Sequence, residues 1–206
     1  MKIPPVGLEG DLVVPAGARG VVVFAHGSGS SRLSPRNQQV AEGLQEAGLG
    51  TLLMDLLTAE EGAEDEQGSH LRFNIELLAA RLTDAVDWVE GNEATARLRI
   101  GCFGASTGAA AALVTAARRP DKVKAVVSRG GRPDLAGTML ALVDAPTLLI
   151  VGGRDYTVLE LNRHAFEQLR CEKELQVVPG ATHLFEEAGA MDRVAALARD
   201  WFGEWL

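Results

Sequence analysis

The sequence is poor in cysteine, and its start lacks the marks of a secretion signal. Its 206 residues include two cysteines, Cys102 and Cys171, and residues 1–5 have no apolar stretch of the kind that such a signal requires. Two cysteines without a secretory context seldom form a disulfide, so both are expected to be free thiols in a cytoplasmic protein. Cys102 falls near the end of a predicted buried strand, where a thiol is usually inert packing.

Basic charge and long apolar runs are scarce as well. The 20 Lys and Arg residues are outnumbered by 28 Asp and Glu residues, which gives a formal net charge of -8. A chain of that charge repels phosphate backbones and anionic membrane surfaces. No apolar run approaches the roughly 18 to 20 residues that span a bilayer. We therefore expect neither a nucleic acid nor a membrane as a partner.

The composition fits one globular domain. Hydrophobic residues make up 47% of the chain and charged residues 23%, which is ordinary for a soluble protein with a packed core. The sequence has no internal repeat, heptad run or low-complexity linker. We therefore predict a single domain over residues 1–206.

Short β-branched runs alternate with longer stretches of helical period, which is the pattern of a doubly wound α/β fold. The predicted strands are Gly20–Ala25, Gly50–Leu53, Arg97–Phe103, Val123–Ser128, Thr147–Gly152 and Glu174–Val178. The predicted helices are Pro35–Ala47, Asn74–Glu90, Gly108–Arg118, Val158–Leu169 and Asp192–Leu206. The strands are apolar on both sides, which indicates a mostly parallel sheet with helices on both faces.

Other segments carry weaker patterns. Leu8–Pro15 is predicted to be an outer antiparallel strand that pairs with Gly20–Ala25, because a short polar turn joins the two. The acidic stretch Ala59–Ser69 lacks apolar periodicity and is predicted to be a solvated loop. The longest unassigned segments, Leu56–Arg72 and Gly130–Pro146, are too short for a cap domain. An active site in this fold should therefore be fairly open.

The strongest motif is a G-x-S-x-G sequence, Gly104-Ala105-Ser106-Thr107-Gly108. It follows a predicted strand and opens an Ala-rich predicted helix. A serine on so tight a strand-to-helix turn adopts a strained backbone, and small residues are needed where neighbouring chains approach closely. The motif therefore predicts Ser106 as a nucleophile.

A serine hydroxyl needs a base within reach, and the base needs a partner that fixes its tautomer. Asp155 follows the strand Thr147–Gly152, at the sheet edge where sites in doubly wound folds collect. His183 follows the next predicted strand. The chain order Ser106, Asp155, His183 is the order that this kind of fold uses for nucleophile, acid and base.

The remaining histidines are assigned to structural or surface positions. His164 lies within a predicted helix and His70 in the acidic loop. His26 ends a strand and is predicted to support the Gly-rich loop that follows it. A metal role is not expected, because no second His, Cys or carboxylate stands at ligand spacing.

The Gly-rich loop after the first predicted parallel strand supplies a candidate oxyanion hole. Acyl transfer builds negative charge on a carbonyl oxygen, and backbone N–H groups aimed at that oxygen stabilise it. The predicted donors are the N–H groups of Thr107 and Ser28, with glycines at 27 and 29 leaving space for a ligand. A phosphate-binding loop is the competing interpretation, but G-x-G-x-x-G and a G-K-[ST] ending are both missing.

Several arginines follow the ends of predicted strands and could meet an anionic group of a substrate. They are Arg32, Arg36, Arg129 and Arg132. Surface solvation or an ion pair that ties a loop is the alternative role for each. Arg129 is the best candidate for a substrate contact because Gly130 and Gly131 allow close approach, and Arg32 is retained as a second candidate.

Six stretches of the sequence resemble the dienelactone hydrolase-like branch of the α/β hydrolases. They are FAHGSGSSRLSPRN, LLMDLLT, GCFGASTGAAAAL, AVVSRGGRPDLAG, APTLLIVGGRD and VPGATHLFEEAGA. The resemblance implies a mostly parallel sheet of about eight strands, no cofactor, and hydrolysis of esters or lactones through an acyl-enzyme. It also implies Ser106 as nucleophile, Asp155 as acid, His183 as base and His26–Ser28 as the oxyanion loop. The members that give the family its name use a cysteine nucleophile, so the serine points instead to general carboxylesterase activity.

The sequence therefore predicts a serine hydrolase that acts on a small ester or lactone, with a preference for short acyl chains because the site lacks a cap. An acyltransferase that uses the same three residues remains open, as does a catalytically silent binding module that keeps the fold. The apolar end, Trp201–Leu206, could pack internally or on a partner, so both a monomer and a homodimer fit.

Overall fold

A sheet of eight strands forms the centre of the computed structural model, which describes residues 1–206 except the side chain of Ser69. The strands are β1 (Lys2–Ile3), β2 (Leu8–Val13), β3 (Gly20–Ala25), β4 (Gly50–Met54), β5 (Arg99–Ala105), β6 (Val123–Arg129), β7 (Thr147–Gly152) and β8 (Lys173–Val178). Their order in the sheet is β1-β2-β4-β3-β5-β6-β7-β8. The strands from β3 to β8 are parallel, and β1 and β2 are antiparallel additions at one edge.

Helices cover both faces of the sheet, which confirms the doubly wound α/β class. They are α1 (Pro35–Glu46), α2 (Ala59–Glu64), α3 (Ile75–Gly91), α4 (Thr107–Arg118), α5 (Tyr156–Gln168) and α6 (Ala190–Trp205). One core contains buried residues of α1 and α6, and the other contains buried residues of α3 and α4. In the part of the chain that the structure describes, no helix is both long enough and apolar enough to cross a membrane.

Strand β3 shows why the parallel strands are apolar throughout. Val21 and Val23 belong to the core beneath α3 and α4, whereas Val22 and Phe24 belong to the core beneath α1 and α6. All four side chains are buried, because successive residues of a strand point to opposite faces and both faces are covered. A polar residue at any of these positions would lose its hydration without gaining a partner.

The apolar end of the chain packs internally. Phe202 is fully buried and Leu206 nearly so, both in the core beneath α1 and α6. A methyl group added at Gly101 would lie 2.7 Å from the Phe202 ring, so the glycine in β5 makes room for that ring. Helix α6 is therefore anchored to the central strands.

The predicted pairing of the outer strand is wrong. Leu8–Val13 pairs antiparallel with β4, as in the partners Gly10 and Met54, and does not pair with β3. Both edges of β3 are occupied by parallel neighbours, β4 on one side and β5 on the other. The short turn before Gly20 therefore carries the chain past β4 instead of closing a hairpin.

The acidic segment predicted to be a solvated loop is also different in the structure. It forms α2, a π-helical turn at Asp65–Ser69 and, after it, a 3-10 turn at Leu71–Phe73. The start of α2 is a capping box: the Thr58 hydroxyl accepts the Glu61 N–H at 3.2 Å, and the Glu61 carboxylate accepts the Thr58 N–H at 2.8 Å. Local capping can specify a short helix without an apolar stripe, which explains why periodicity did not reveal it.

The turn between β5 and α4 depends on two glycines. A methyl group added at Gly108 would lie 2.2 Å from the Ala25 carbonyl oxygen and 2.5 Å from that of His26. One added at Gly104 would lie 2.4 Å from the Ala109 Cα atom. These are backbone atoms that cannot swing away, so the first turn of α4 can approach the ends of β3 and β5 this closely only with glycine at both positions.

Replacing Gly108 with Ala should therefore destabilise the protein, because the new methyl group would have to push α4 away from β3. Overpacking of this kind costs about 1–3 kcal/mol, and a protein of this size loses roughly 2–4 °C in Tm per kcal/mol. Thermal unfolding followed by circular dichroism would measure the loss.

The matched control is Gly203→Ala in α6, where an added methyl group would meet nothing within 4 Å. Alanine is the better helix former by up to about 1 kcal/mol, so this variant should be as stable as the parent or slightly more stable. Equal losses in the two variants would show that space at Gly108 is not the constraint.

Candidate active site

Ser106 lies at the turn between β5 and α4, directly before the first residue of the helix. Its backbone angles are φ 50° and ψ -119°, a strained conformation for a residue with a side chain. The turn is held on both sides, because the Ser106 N–H donates to the Arg129 carbonyl at 3.4 Å and the Ser106 carbonyl accepts the Arg132 N–H at 3.0 Å. The segment after β6 therefore fixes the strained serine.

Asp155 and His183 are brought together by the loops that follow β7 and β8. The Asp155 Oδ2 atom lies 2.6 Å from His183 Nδ1, so the carboxylate accepts the proton of that ring nitrogen. The Asp155 side chain is 13% exposed and the His183 side chain 40%, which leaves the other edge of the ring open to a substrate. The contact fixes the tautomer with Nε2 free to accept a proton.

The loop that carries His183 is clamped by a carboxylate. The Thr182 N–H lies 3.1 Å from both carboxylate oxygens of Glu187. Hydrogen bonding by the Thr182 side chain, together with the backbone N–H groups of Glu187 and Thr182, lowers the pKa of Glu187 and favours its ionised form. Phe185 adopts φ 56° in the same loop, and its buried ring anchors that loop in the core.

Ser106 and His183 both lie against the end of β6 and the glycine that follows it. A methyl group added at Gly130 would lie 3.1 Å from the His183 carbonyl oxygen and 3.7 Å from its Cε1 atom. Ser106 binds the residue before this glycine through its N–H group. Among the described side chains, His183 bonds to Asp155 and not to the Ser106 hydroxyl, and catalytic hydrogen bonds often tighten only when substrate is bound.

The Gly-rich loop lies against the serine. A methyl group added at Gly27 would lie 3.0 Å from the Ser106 Cβ atom, and the loop then turns through a hydrogen bond of 3.2 Å from the Ser30 N–H to the Gly27 carbonyl. The N–H groups of Ser28 and Thr107 find no protein acceptor in the described part of the chain. Both residues line the same cavity.

His26 supports this loop, as its position in the sequence predicted. The Leu56 N–H donates to His26 Nε2 at 3.1 Å, so the ring proton is on Nδ1, which lies 2.9 Å from the Gly27 carbonyl oxygen. Burial lowers the pKa of His26 and keeps the ring neutral. The imidazole thus joins the end of β3 to the segment after β4.

A cavity of about 850 Å³ opens beside Ser28 and Thr107. Its walls include three ion pairs from separate segments: Lys2 with Glu9 at 2.7 Å, Arg32 with Asp55 at 2.7 Å, and Arg72 with Asp65. Each pair offers hydrogen-bond donors and acceptors to a ligand. The site is therefore partly walled by the segment that the sequence analysis interpreted as solvated.

The two arginines proposed as substrate contacts have different surroundings. Arg32 lines the cavity, but Asp55 binds both its N–H group and its guanidinium at 2.7 Å, which ties the loop to the end of β4. Arg129 does not line the cavity; its side chain is buried on the α1 side of β6. Arg132 binds Asp134 at 2.8 Å, which is also a tie within a loop.

Arg72 is a cavity residue that the sequence analysis missed. Its Nη1 atom lies 3.6 Å from the position of a methyl group added at Gly29, so the guanidinium stands over the Gly-rich loop. The buried carboxylate of Asp65 holds both its Nε atom and its backbone N–H, the latter at 3.0 Å. Nothing in the local sequence marks this position, because the contact depends on the shape of the turns between α2 and α3.

Cys102 is not positioned as a competing nucleophile. It is fully buried in β5, and this burial raises the pKa of its thiol to about 12. A thiol with that pKa is almost entirely protonated at neutral pH and is a poor nucleophile. Among the described residues, no group of three or more His, Cys, Asp or Glu side chains could hold a metal ion.

Comparison with known proteins places the chain among hydrolases. A model of the dienelactone hydrolase family matches residues 8–204. The crystal structure of a dienelactone hydrolase from Anabaena variabilis is similar at 59% identity and a TM-score of 0.97, over 99% of this chain and 94% of that one. Est1E from Butyrivibrio proteoclasticus has the same fold at 17% identity and a TM-score of 0.82, over 99% of this chain and 97% of that one.

Two curated relatives have names that refer to a different activity. They are Mycobacterium tuberculosis proteins from two strains, both provisionally named phosphoribosyl transferases, and each is 60% identical over 202 residues. The match covers 98% of this chain but 45% of each relative. The chain thus spans about half the length of the curated relatives it matches.

The buried His26 should make stability depend on pH. The unfolded residue takes up a proton near its ordinary pKa of 6.5, whereas the lowered pKa of the folded residue keeps the ring neutral to lower pH. The stability that His26 contributes is therefore present above about pH 6.5 and is lost as pH falls towards the folded pKa. Urea denaturation between pH 5 and 7.5 would measure this slope.

The variant His26→Gln keeps an acceptor for the Leu56 N–H but cannot titrate, so its stability should vary less across this range. His164→Gln removes an exposed histidine of α5 and should keep the parent slope. An unchanged slope in His26→Gln would contradict the assignment.

Proposed function

Since the chain belongs to the dienelactone hydrolase family and is a hydrolase, we propose that it cleaves small carboxylic esters or lactones with Ser106 as the nucleophile. The observation that carries the proposal is the 2.6 Å contact between Asp155 and His183, on loops that converge on the strained Ser106 turn. An oriented base near a half-buried serine on a tight turn is an arrangement suited to acyl transfer.

In the proposed first step, Ser106 Oγ attacks the ester carbonyl carbon while its proton passes to His183 Nε2. Asp155 keeps the ring oriented through Nδ1 and stabilises the imidazolium that forms. The imidazolium then gives its proton to the alcohol oxygen as the bond between carbonyl carbon and alcohol oxygen breaks. The acyl group remains on the serine, and the alcohol leaves.

The oxyanion of each tetrahedral intermediate would lie between the N–H groups of Ser28 and Thr107. Each such donor is commonly worth about 2.7–4 kcal/mol of transition-state stabilisation. The positive end of α4 adds to this field, because Thr107 is the first residue of the helix. In the second step His183 takes a proton from water as the water attacks the acyl carbon. The imidazolium then returns this proton to Ser106 Oγ as the bond between the acyl carbon and Oγ breaks, so that the acid leaves and the serine is regenerated. No cofactor enters either step.

We propose hydrolysis rather than acyl transfer to another acceptor, because the site is accessible to water. The His183 side chain is 40% exposed, and no described segment covers it as a cap domain would. Phosphoribosyl transfer is not proposed for this chain, because the name of the curated relatives refers to proteins about twice as long. A silent binding module would not need the strained serine and the oriented base together.

The nucleophile can be identified with a fluorophosphonate probe, which reacts with an activated serine and loses fluoride. Mass spectrometry should find the label on Ser106, and labelling should disappear in Ser106→Ala and fall sharply in His183→Ala.

Asp155→Asn should lower kcat for an ester by about 10⁴-fold, because the His183 ring then takes the wrong tautomer.

The matched control is Cys102→Ala, which removes the nearby thiol. Since that thiol is buried and protonated, labelling and ester hydrolysis should be preserved. Unlabelled but folded protein, or a label on another residue, would contradict the proposed nucleophile.

We expect an acyl-chain preference from the ion pairs in the cavity wall, which also contains apolar side chains such as Leu56 and Leu57. The ion pairs of Arg32 and Arg72 would lose hydration without compensation beside a long alkyl chain. We therefore expect kcat/KM for p-nitrophenyl esters to fall from acetate and butyrate to dodecanoate. Comparable or higher values for the dodecanoate would contradict this preference.

A further inference from the structure

The Arg129 guanidinium is a buried cation without a counter-charge among the described residues. The residue ends β6 and is 6% exposed. Its Nη2 atom donates to Asn37 Oδ1 at 3.2 Å, and its guanidinium carbon lies 6.0 Å from the centre of the Phe185 ring. Its Nε atom is buried and has no hydrogen-bond partner within the described structure. A buried guanidinium is normally paired with a carboxylate or another anion.

A second arginine increases the positive charge at the same place. Arg36 lies in the first turn of α1, next to Asn37, and its Nε atom is also buried and unpartnered in the described part of the chain. Burial and the charge of Arg36 lower the pKa of Arg129 to about 10. Arg129 is still cationic at neutral pH, so it is repelled by the neighbouring Arg36 guanidinium.

The start of α1 adds a third positive contribution. The helix has 12 residues, its first turn contains no acidic residue, and its N-terminus carries the positive end of the helix dipole. Ser34 accepts the Asn37 N–H at 3.4 Å, whereas the Arg36 N–H has no acceptor among the described residues. An N–H group and two guanidinium groups are thus available close together.

Among the described residues, the carboxylate that reaches this cluster is Glu186, and it is weakly engaged. Glu186 approaches Arg36 Nη1 at 3.7 Å and is 68% exposed. An ion pair this long and this exposed contributes little. Glu186 lies next to Phe185, at the edge where Arg36 meets solvent, and so occupies the position from which an anion would enter.

We propose that Arg129, Arg36 and the N-terminus of α1 form a binding site for a small oxyanion of the phosphate or carboxylate class. The anion replaces Glu186 on Arg36 and supplies the counter-charge that Arg129 lacks. Planar guanidinium groups and a helix N–H match the lone pairs of such oxygens. The site is separate from the oxyanion hole, because Arg129 contacts α1 rather than the cavity beside Ser28.

Inorganic phosphate is the probe for this site. Isothermal titration calorimetry should detect phosphate binding, and phosphate should raise the Tm above that in chloride at equal ionic strength. Glu186→Gln should bind phosphate several-fold more tightly, because a competing carboxylate is removed. Arg36→Gln and Arg129→Met should each weaken binding about tenfold or more, since each removes a charge-assisted hydrogen bond.

The matched controls are Arg163→Gln and Glu160→Gln, which break an exposed arginine–glutamate pair on α5. Both should bind phosphate as the parent does. The proposal fails if phosphate stabilises no more than chloride, or if Glu186→Gln and the Arg163 control respond alike. Phosphate binding by Ser106→Ala, which cannot form an acyl-enzyme, keeps this test independent of the proposed hydrolase activity.

Enzyme kinetics would show whether the anion in this site is a free ion or an anionic group of the substrate. If the anion is part of the substrate, phosphate should compete with a succinate monoester, and Arg36→Gln should lower the kcat/KM ratio of that ester to a butyrate ester about tenfold. If the site takes a free ion, phosphate should bind without competing and the ratio should not change. Either pattern, together with phosphate binding, supports the site.

Discussion

The close approach of α4 to the ends of β3 and β5 is the constraint on which the site depends. A side chain at Gly108 would strike two backbone carbonyl groups, and one at Gly104 would strike the helix itself. With glycine at both positions, the chain turns directly from strand to helix and forces Ser106 into a left-handed conformation. The same turn places the N–H group of Thr107 beside the Gly-rich loop. The positions of the proposed nucleophile and of one proposed oxyanion donor thus follow from one packing contact.

The loops around this turn are held by polar contacts that differ in kind. Neutral His26 joins the end of β3 to the segment after β4 through two backbone groups, which requires that its ring stay uncharged. Glu187 must instead stay ionised to hold the Thr182 N–H next to the base. Arg129 remains charged although no carboxylate meets it within the described structure. The contacts of each of these groups depend on its protonation state. The geometry of the site therefore depends on pH through more than one residue.

The placement of the candidate site residues at strand ends could be predicted from the sequence because the signals are local. Ser106, Asp155 and His183 each follow a short apolar run, and parallel strands bring such positions to one edge of the sheet. The pairing of β2 could not be predicted in this way. It depends on which strands already occupy the two edges of β3, and on the edge of β4 that then remains free. The position of Arg72 was likewise hidden, because it follows from a buried contact with Asp65 across two irregular turns. The Thr58 capping box was visible in the sequence, and a search for local caps would have found α2.

The two sides of the cavity differ in what holds them. The side at Thr107 adjoins α4, whose buried alanines belong to the core beneath β5, whereas the outer walls are joined by ion pairs at Lys2, Arg32 and Arg72. Segments with few buried apolar contacts open at much lower free energy than the core of a domain does. Hydrogen exchange would therefore be fast in the wall and slow beneath the serine, and the wall could open while the sheet stays folded. Substrate entry then needs no dedicated lid, because local opening of the wall serves the same purpose.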